Sequence, residues 1–289
     1  MKRIVFLAIV GLSMSGMLAA PPESPRQPIS PPPAALQAGY TRLAFDEEFN
    51  DDSGIDLQDT RKPGFNFYPR LCWGNYVLPA KYIVVKQGIL HLYNPQNNAQ
   101  ADLFSAVKTG DGQFTGFAAG GGAYFEASIA FDPDYQKKNP GTKGFPAFWS
   151  NPVEHHFLNT PEPYNFLEMD HMEYCTGWCP DLSSYMNALV KWTTNKGNTR
   201  EFVDPVYQHR FISTPPGTDY NHFNTFGALW VPGKDGREDT YFNNELRRSL
   251  KAAEYPMLQA GDQQHFMVIL GCGQWPIRVD WVRVWMKPE

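Results

Sequence analysis

The sequence predicts an all-β protein, a sandwich or barrel of antiparallel strands, on three observations. After residue 40 the apolar runs are short and separated by Gly, Pro, Asn and Asp, with no sustained helical period. The chain has 289 residues, 42% of them hydrophobic and only 19% charged, so the roughly 250 that follow the N-terminal segments can close one large core. The third observation is one run, Tyr164 to Tyr174, YNFLEMDHMEY, which sets three acids among apolar residues at strand-like spacing. Many even strands in one domain stack as two sheets or close into a barrel.

Residues 1–20 open with Lys2 and Arg3, continue as an apolar run and end at Ala19 and Ala20, which is the pattern of an export signal. The rival reading is a membrane anchor, for which the apolar run is short. Residues 21–39 follow as a linker; seven prolines fall between Pro21 and Ala35 with no apolar period. Residues 40–289 make the folded domain. Within it Tyr82–Val85, Leu90–Tyr93, Tyr124–Phe131, Tyr185–Trp192, Thr225–Val231, Phe266–Leu270 and Arg278–Met286 read as strands. Asn243–Asn244 reads as a turn between two strands, and Glu245–Glu254 as a short helix or a loop. The net charge of −5, or −7 once Lys2 and Arg3 are removed, argues against nucleic acid as a partner. The expected location is secreted or periplasmic, with no membrane association after signal removal.

The acidic run carries the chemistry. Strand side chains alternate, so Glu168 and Asp170 share one face, Leu167 and Met169 the other, and Glu173 falls on the wrong side. A β-bulge at His171 and Met172 returns Glu173 to the acids and Met172 to the apolar side. Three like charges in a row repel, which holds a proton on one of them, and one ionised beside one protonated carboxyl is what glycoside hydrolysis requires. The Cα atoms of Glu168 and Glu173 would lie about 13 Å apart along the strand, and inward-leaning side chains reach the 5–6 Å or so that retention of configuration demands. An edge strand carrying acids only to deter aggregation would explain the charges but not the apolar opposite face.

The segment EMDHMEY resembles the E-x-D-x-x-E signature of glycoside hydrolase family 16 in its bulged form. Other stretches resemble that family in order: LAFDEEFN (43–50), YFEASIAF (124–131), FPAFWS (145–150), FNTFGALW (223–230) and IRVDWVRVW (277–285). The likeness spans about residues 40 to 287. It implies a β-jelly roll of two curved antiparallel sheets with a concave glycan cleft, and a retaining endo-β-glycanase. It makes Glu168 the nucleophile, Glu173 the acid/base and Asp170 the residue that tunes the pair. The bulged form resembles the laminarinase branch, which makes β-1,3-glucan the first expected substrate, with mixed-linkage glucan and algal galactans as the alternatives. Asn224, Leu229 and His171 depart from the family pattern and bear on substrate preference. The resemblance also implies a structural Ca²⁺ site near Asp280, and a sugar contact at Trp275.

Sugar rings stack on aromatic planes, and aromatics make up 15% of the chain. Phe166 shares the face of Glu168 by the period of two. Trp149 is a further candidate contact, although the A-F-W run also fits a core-facing ring, and Asn187, on the next strand, is a candidate for a sugar hydroxyl. His155 and His156 are expected on the rim of the cleft. The four cysteines, Cys72, Cys175, Cys179 and Cys272, suit disulfides in an exported chain; of three possible pairings, Cys175–Cys179 with Cys72–Cys272 is expected. A zinc site built from His155, His156, His171 and the cysteines is the weaker alternative. No organic cofactor is implied, and a monomer is expected. The same residues also fit a transglycosylase, and the fold fits a non-catalytic glycan-binding protein.

Overall fold

The computed structural model describes residues 29–71, 74, 76–95, 102–157, 164–174, 183–194, 198–202 and 211–289. The signal segment and most of the expected linker, and Cys72, Cys175 and Cys179, lie outside these residues. Residues 31–289 form one compact unit. Its strands, in chain order, are β1 (Arg42–Glu47), β2 (Ile83–Lys86), β3 (Ile89–Leu92), β4 (Leu103–Phe104), β5 (Ala106–Lys108), β6 (Phe114–Gly116), β7 (Ala119–Gly120), β8 (Ala123–Phe131) and β9 (Ala147–Pro152). They continue as β10 (Tyr164–Glu173), β11 (Ser184–Thr194), β12 (Asn198–Phe202), β13 (Phe211–Ser213), β14 (Asn224–Val231), β15 (Arg237–Phe242), β16 (Glu245–Lys251), β17 (His265–Gly271) and β18 (Ile277–Met286).

Two antiparallel sheets form the sandwich. One runs β16-β15-β14-β8-β18-β3-β2, with β1 also on β18; the other runs β12-β11-β10-β9-β17-β4, with β13 on β11 and β7 on β17. Each sheet joins a run of consecutive strands, β14 to β16 in one and β9 to β12 in the other, to strands distant in the chain, β8 and β18 or β17 and β4, which is how a jelly roll is wound. The core fills the space between them. Leu167, Met169 and Met172 of β10, Phe148 of β9 and Val268 and Leu270 of β17 meet Phe125, Ala127 and Ile129 of β8, Val282 and Val284 of β18, and Phe226 and Trp230 of β14. In each of these strands alternate residues face inward, as the period of two requires.

Two segments differ from the sequence reading. Residues 33–37, inside the expected linker, form a short helix, α1 (Pro33–Gln37), that starts on Pro33, buries Ala35 and leads to the buried Tyr40, whose hydroxyl donates to the Trp230 carbonyl at 3.1 Å. Proline suits the first helical turn, where its missing N–H has no intrahelical partner. Glu245–Lys251 is a strand rather than a helix or loop. Asn243 and Asn244 take φ of +49° and +64°, a tight turn that Asn tolerates, and it folds β16 back onto β15. Pairing then overrides the good helix formers Glu, Leu and Arg in that stretch.

Cys272 is a free, fully buried thiol, its Sγ within 3.4 Å of the Leu92 carbonyl and 3.3 Å of the Gly273 carbonyl. The expected Cys72–Cys272 bridge is therefore not made. Burial pushes this thiol well above its ordinary range.

Candidate active site

The strand that carries the acids is β10, and its bulge lies where the charges demanded. Along β9, Asp170 faces Trp149 and Met172 faces Phe148, so His171 is the extra residue; along β11, Asp170 faces Ala188 and Glu173 faces Met186, so His171 and Met172 together oppose Asn187. Glu168, Asp170 and Glu173 consequently share the face turned away from the core. Apolar side chains border this acid row on both flanks: Ala147, Trp149, Met267 and Ile269 on the β9 and β17 side, and Met186, Ala188 and Val190 on the β11 side. Such borders lower the local dielectric and strengthen any charge interaction made there.

His171 turns inward. Its ring is 1% exposed, stacks on Phe125 at 4.8 Å and packs at 4.9 Å from Phe148, and its Nε2 lies 2.8 Å from Ser150 Oγ. Burial lowers its pKa from 6.5 to about 3. The sign follows. The unfolded chain takes up this proton below pH 6.5 and the folded chain does not, so stability is full above pH 6.5 and is lost as pH falls toward 3, at about 1.4 kcal/mol per pH unit. Urea unfolding at pH 7 and pH 4.5 should therefore show a pH-dependent loss about 2–3 kcal/mol smaller in His171→Leu than in the unsubstituted protein. An equal pH dependence in both would place the acid sensitivity elsewhere.

At the other end of the acid row a cavity of about 410 Å³ opens against Glu168, lined by Trp149, Asn151, His155, His156, Phe166 and Trp192. Phe166 stacks on His155 at 3.8 Å between ring centres and lies parallel to Trp192 at 6.0 Å, its partner across the β10–β11 pairing. His155 Nδ1 lies 2.6 Å from the Tyr164 hydroxyl. Asn151 Nδ2 donates to Glu168 Oε2 at 3.0 Å, and Asn151 Oδ1 lies 3.0 Å from His156 Nε2. Burial holds both imidazoles below the ordinary histidine range, His156 at about 3, so both rings are neutral at neutral pH.

No family model and no curated protein sequence matches this chain. Solved structures do. The chain is similar to β-agarase A crystallised with oligoagarose, at 14% identity and a TM-score of 0.56 over 85% of this chain and 92% of that one. It is similar to the κ-carrageenase of Pseudoalteromonas carrageenovora crystallised with a κ-carrageenan oligotetrasaccharide, at 18% identity and a TM-score of 0.50 over 96% of this chain and 100% of that one. An inactivated β-agarase B holding agaro-octaose gives 11% identity and a TM-score of 0.52 over 83% and 91%. The fold is that of glycoside hydrolase family 16.

Within the family 16 fold, two expected sugar contacts are corrected. Trp275 is fully buried, donates from Nε1 to the Asp132 carbonyl at 2.9 Å and meets the Tyr174 ring edge-on at 5.7 Å, so it braces the core instead of facing a cleft. Asn187 is 1% exposed and lies on the inward side of β11 with Tyr185 and Leu189. Its Nδ2 donates to the His171 carbonyl at 3.3 Å, in the bulge itself, and its Oδ1 accepts from Arg248 of the facing sheet. Arg248 in turn lies 3.8 Å from the buried Glu238 carboxylate. Asn187 thus ties the bulge that sets Glu173 to the opposite sheet. Trp149 and Phe166 do line the cavity, but Phe166 is only 2% exposed; the half-buried Trp192 offers the larger ring surface.

The three departures from the family pattern lie away from the acid face. Asn224 braces the turn region at 3.0 Å from the Asp219 carbonyl and 2.9 Å from that of His222, Leu229 is buried in β14 of the other sheet, and His171 is in the core. Asp280 lies beside Glu48 and Ser128, and Arg283 pairs with Glu48 at 2.5 Å and with Asp46 at 3.4 Å. Among the described residues no three carboxylate, imidazole or thiol groups converge to hold a metal ion.

Proposed function

We propose that the protein is a retaining endo-β-glycanase, carried by one observation: a bulged strand that sets Glu168, Asp170 and Glu173 on one face beside an aromatic cavity. The Glu168 carboxylate attacks the anomeric carbon and forms an ester to the sugar as the glycosidic C–O bond breaks, while Glu173 gives its proton to the departing oxygen. Glu173 then takes a proton from water, which attacks the same carbon and releases Glu168. Asp170, between the two, hydrogen-bonds Glu168 and keeps the roles of the pair distinct. Trp149 and Trp192 stack on the sugar next to Glu168. A second glycan in place of water would make the same chemistry a transglycosylation. The protein acts outside the cytoplasm, secreted or periplasmic, as a monomer.

The polymer we propose first is a β-1,3-glucan, which the bulged acidic signature supports. Galactans are the competing class, since the similar solved structures hold agarose and carrageenan oligosaccharides. Incubation with laminarin, lichenan, xyloglucan, agarose and κ-carrageenan, followed by reducing-end assay and NMR of the first-formed anomer, tests the reading. Release of internal fragments with retained configuration is the expected result. Inversion would overturn the mechanism, and tight binding with no cleavage of any polymer would make the protein a glycan-binding module.

A further inference from the structure

Glu168 is held by a neighbour that the acidic signature does not contain. One step beyond the Met169–Ser150 pair, the register of β9 and β10 brings Asn151 opposite Glu168, and cross-strand neighbours on one face lie within side-chain reach. The chain then turns at Pro152 into a single helical turn, Val153–His156, which brings His156 back over Asn151. A primary amide has two ends, and a carboxylate accepts only from the N–H₂ end; turned round, the amide would set its carbonyl oxygen against Glu168, two acceptors face to face. The imidazole can fix the amide: a ring N–H at His156 Nε2 would donate to Asn151 Oδ1, 3.0 Å away, and leave Nδ2 for Glu168.

We propose that Asn151 and His156 are positioning residues for Glu168, the imidazole N–H setting the Asn151 amide and the amide setting the plane of the carboxylate. This rests on the reading of Glu168 as the nucleophile. The relay is electrically neutral, so it orients the carboxylate and stabilises its charge through a hydrogen bond without placing a cation in the cavity. Because His156 takes no second proton until about pH 3, the same single tautomer serves across the pH range in which a carboxylate attacks.

The relay is tested in two ways that do not depend on each other. Nitrogen-15 NMR of the imidazole of the unsubstituted protein at pH 7, with the His156 signal assigned by its loss in His156→Gln, should show the Nε2–H tautomer. The Nδ1–H tautomer would turn the amide round and overturn the proposal, whatever reaction the protein performs. On the polysaccharide that the protein cleaves, Asn151→Leu should lower kcat about 10- to 100-fold with KM changed less than about threefold. His156→Gln, whose amide N–H can still donate, should stay within about fivefold of the unsubstituted protein, His156→Leu should match Asn151→Leu, and the Asn151→Leu/His156→Leu pair should be no worse than either alone. Losses that multiply in the double variant, or unchanged kcat in a folded Asn151→Leu, would refute the relay. If the unsubstituted protein cleaves no polymer, the glycanase reading falls, while the tautomer still decides the relay.

Discussion

Glu168→Gln and Glu173→Gln are each expected to lose at least about 10³-fold in kcat, with thermal unfolding unchanged within about 2 °C and glycan binding retained. The two losses have different origins, and that difference makes them informative. Gln at 168 keeps the shape but has no anionic oxygen to form the ester, so no glycosyl-enzyme forms at all. Gln at 173 leaves the nucleophile in place and removes the proton donor; an activated aryl glycoside, whose leaving group needs no proton, should still give a burst of phenol and then stall for lack of a base to activate water. The unchanged stability follows from position, since both side chains are on the outward face of β10 rather than among the inward-facing Leu167, Met169 and Met172. A burst from Glu168→Gln but not from Glu173→Gln would exchange the two roles. Undiminished turnover in either would remove that residue from the mechanism.

The part of this site legible in the sequence is the part governed by a local period. Three acids that must share a face, with Glu173 one residue out of step, required a bulge at His171 and Met172, and both strand pairings place it there. The inward face was legible for the same reason, because Leu167, Met169 and Met172 alternate with the acids. Where the period is silent the reading failed. Trp275 lies between β17 and β18, in a turn where no alternation says which way a ring points. Asn187 sits in a strand whose two faces are both apolar, Tyr185 and Leu189 against Met186, Ala188 and Val190, so parity alone could not choose between core and cleft. Asn151 and His156 depend on the register between β9 and β10, a long-range fact that no local spacing encodes. Trp192 carried a usable signal, since it falls on the face of Ala188 and Val190, but only once the pairing of Phe166 with Trp192 is known.

Trp275, the sugar contact that the family pattern suggests, and Trp192, which lines the cavity, should therefore behave in opposite ways. Trp275→Ala removes a fully buried indole packed edge-on against Tyr174 and bonded to the Asp132 carbonyl. Phe or Trp truncation in a core costs about 3–5 kcal/mol, which in a domain of this size lowers Tm by roughly 6–20 °C. KM of the folded fraction should stay within about twofold, because the ring does not reach the acid face. Trp192→Ala should do the reverse. The indole is half buried on the cavity wall, parallel to Phe166, so its loss costs a stacking plane for sugar, about 0.5–1.5 kcal/mol beyond simple area burial. That corresponds to KM raised about 2- to 12-fold with kcat little changed and Tm lowered by only a few degrees. Differential scanning calorimetry beside steady-state kinetics on both variants reads the crossover directly. A raised KM with unchanged Tm in Trp275→Ala would restore that residue to the cleft and remove it from the core, which the packing of Tyr174 against it opposes.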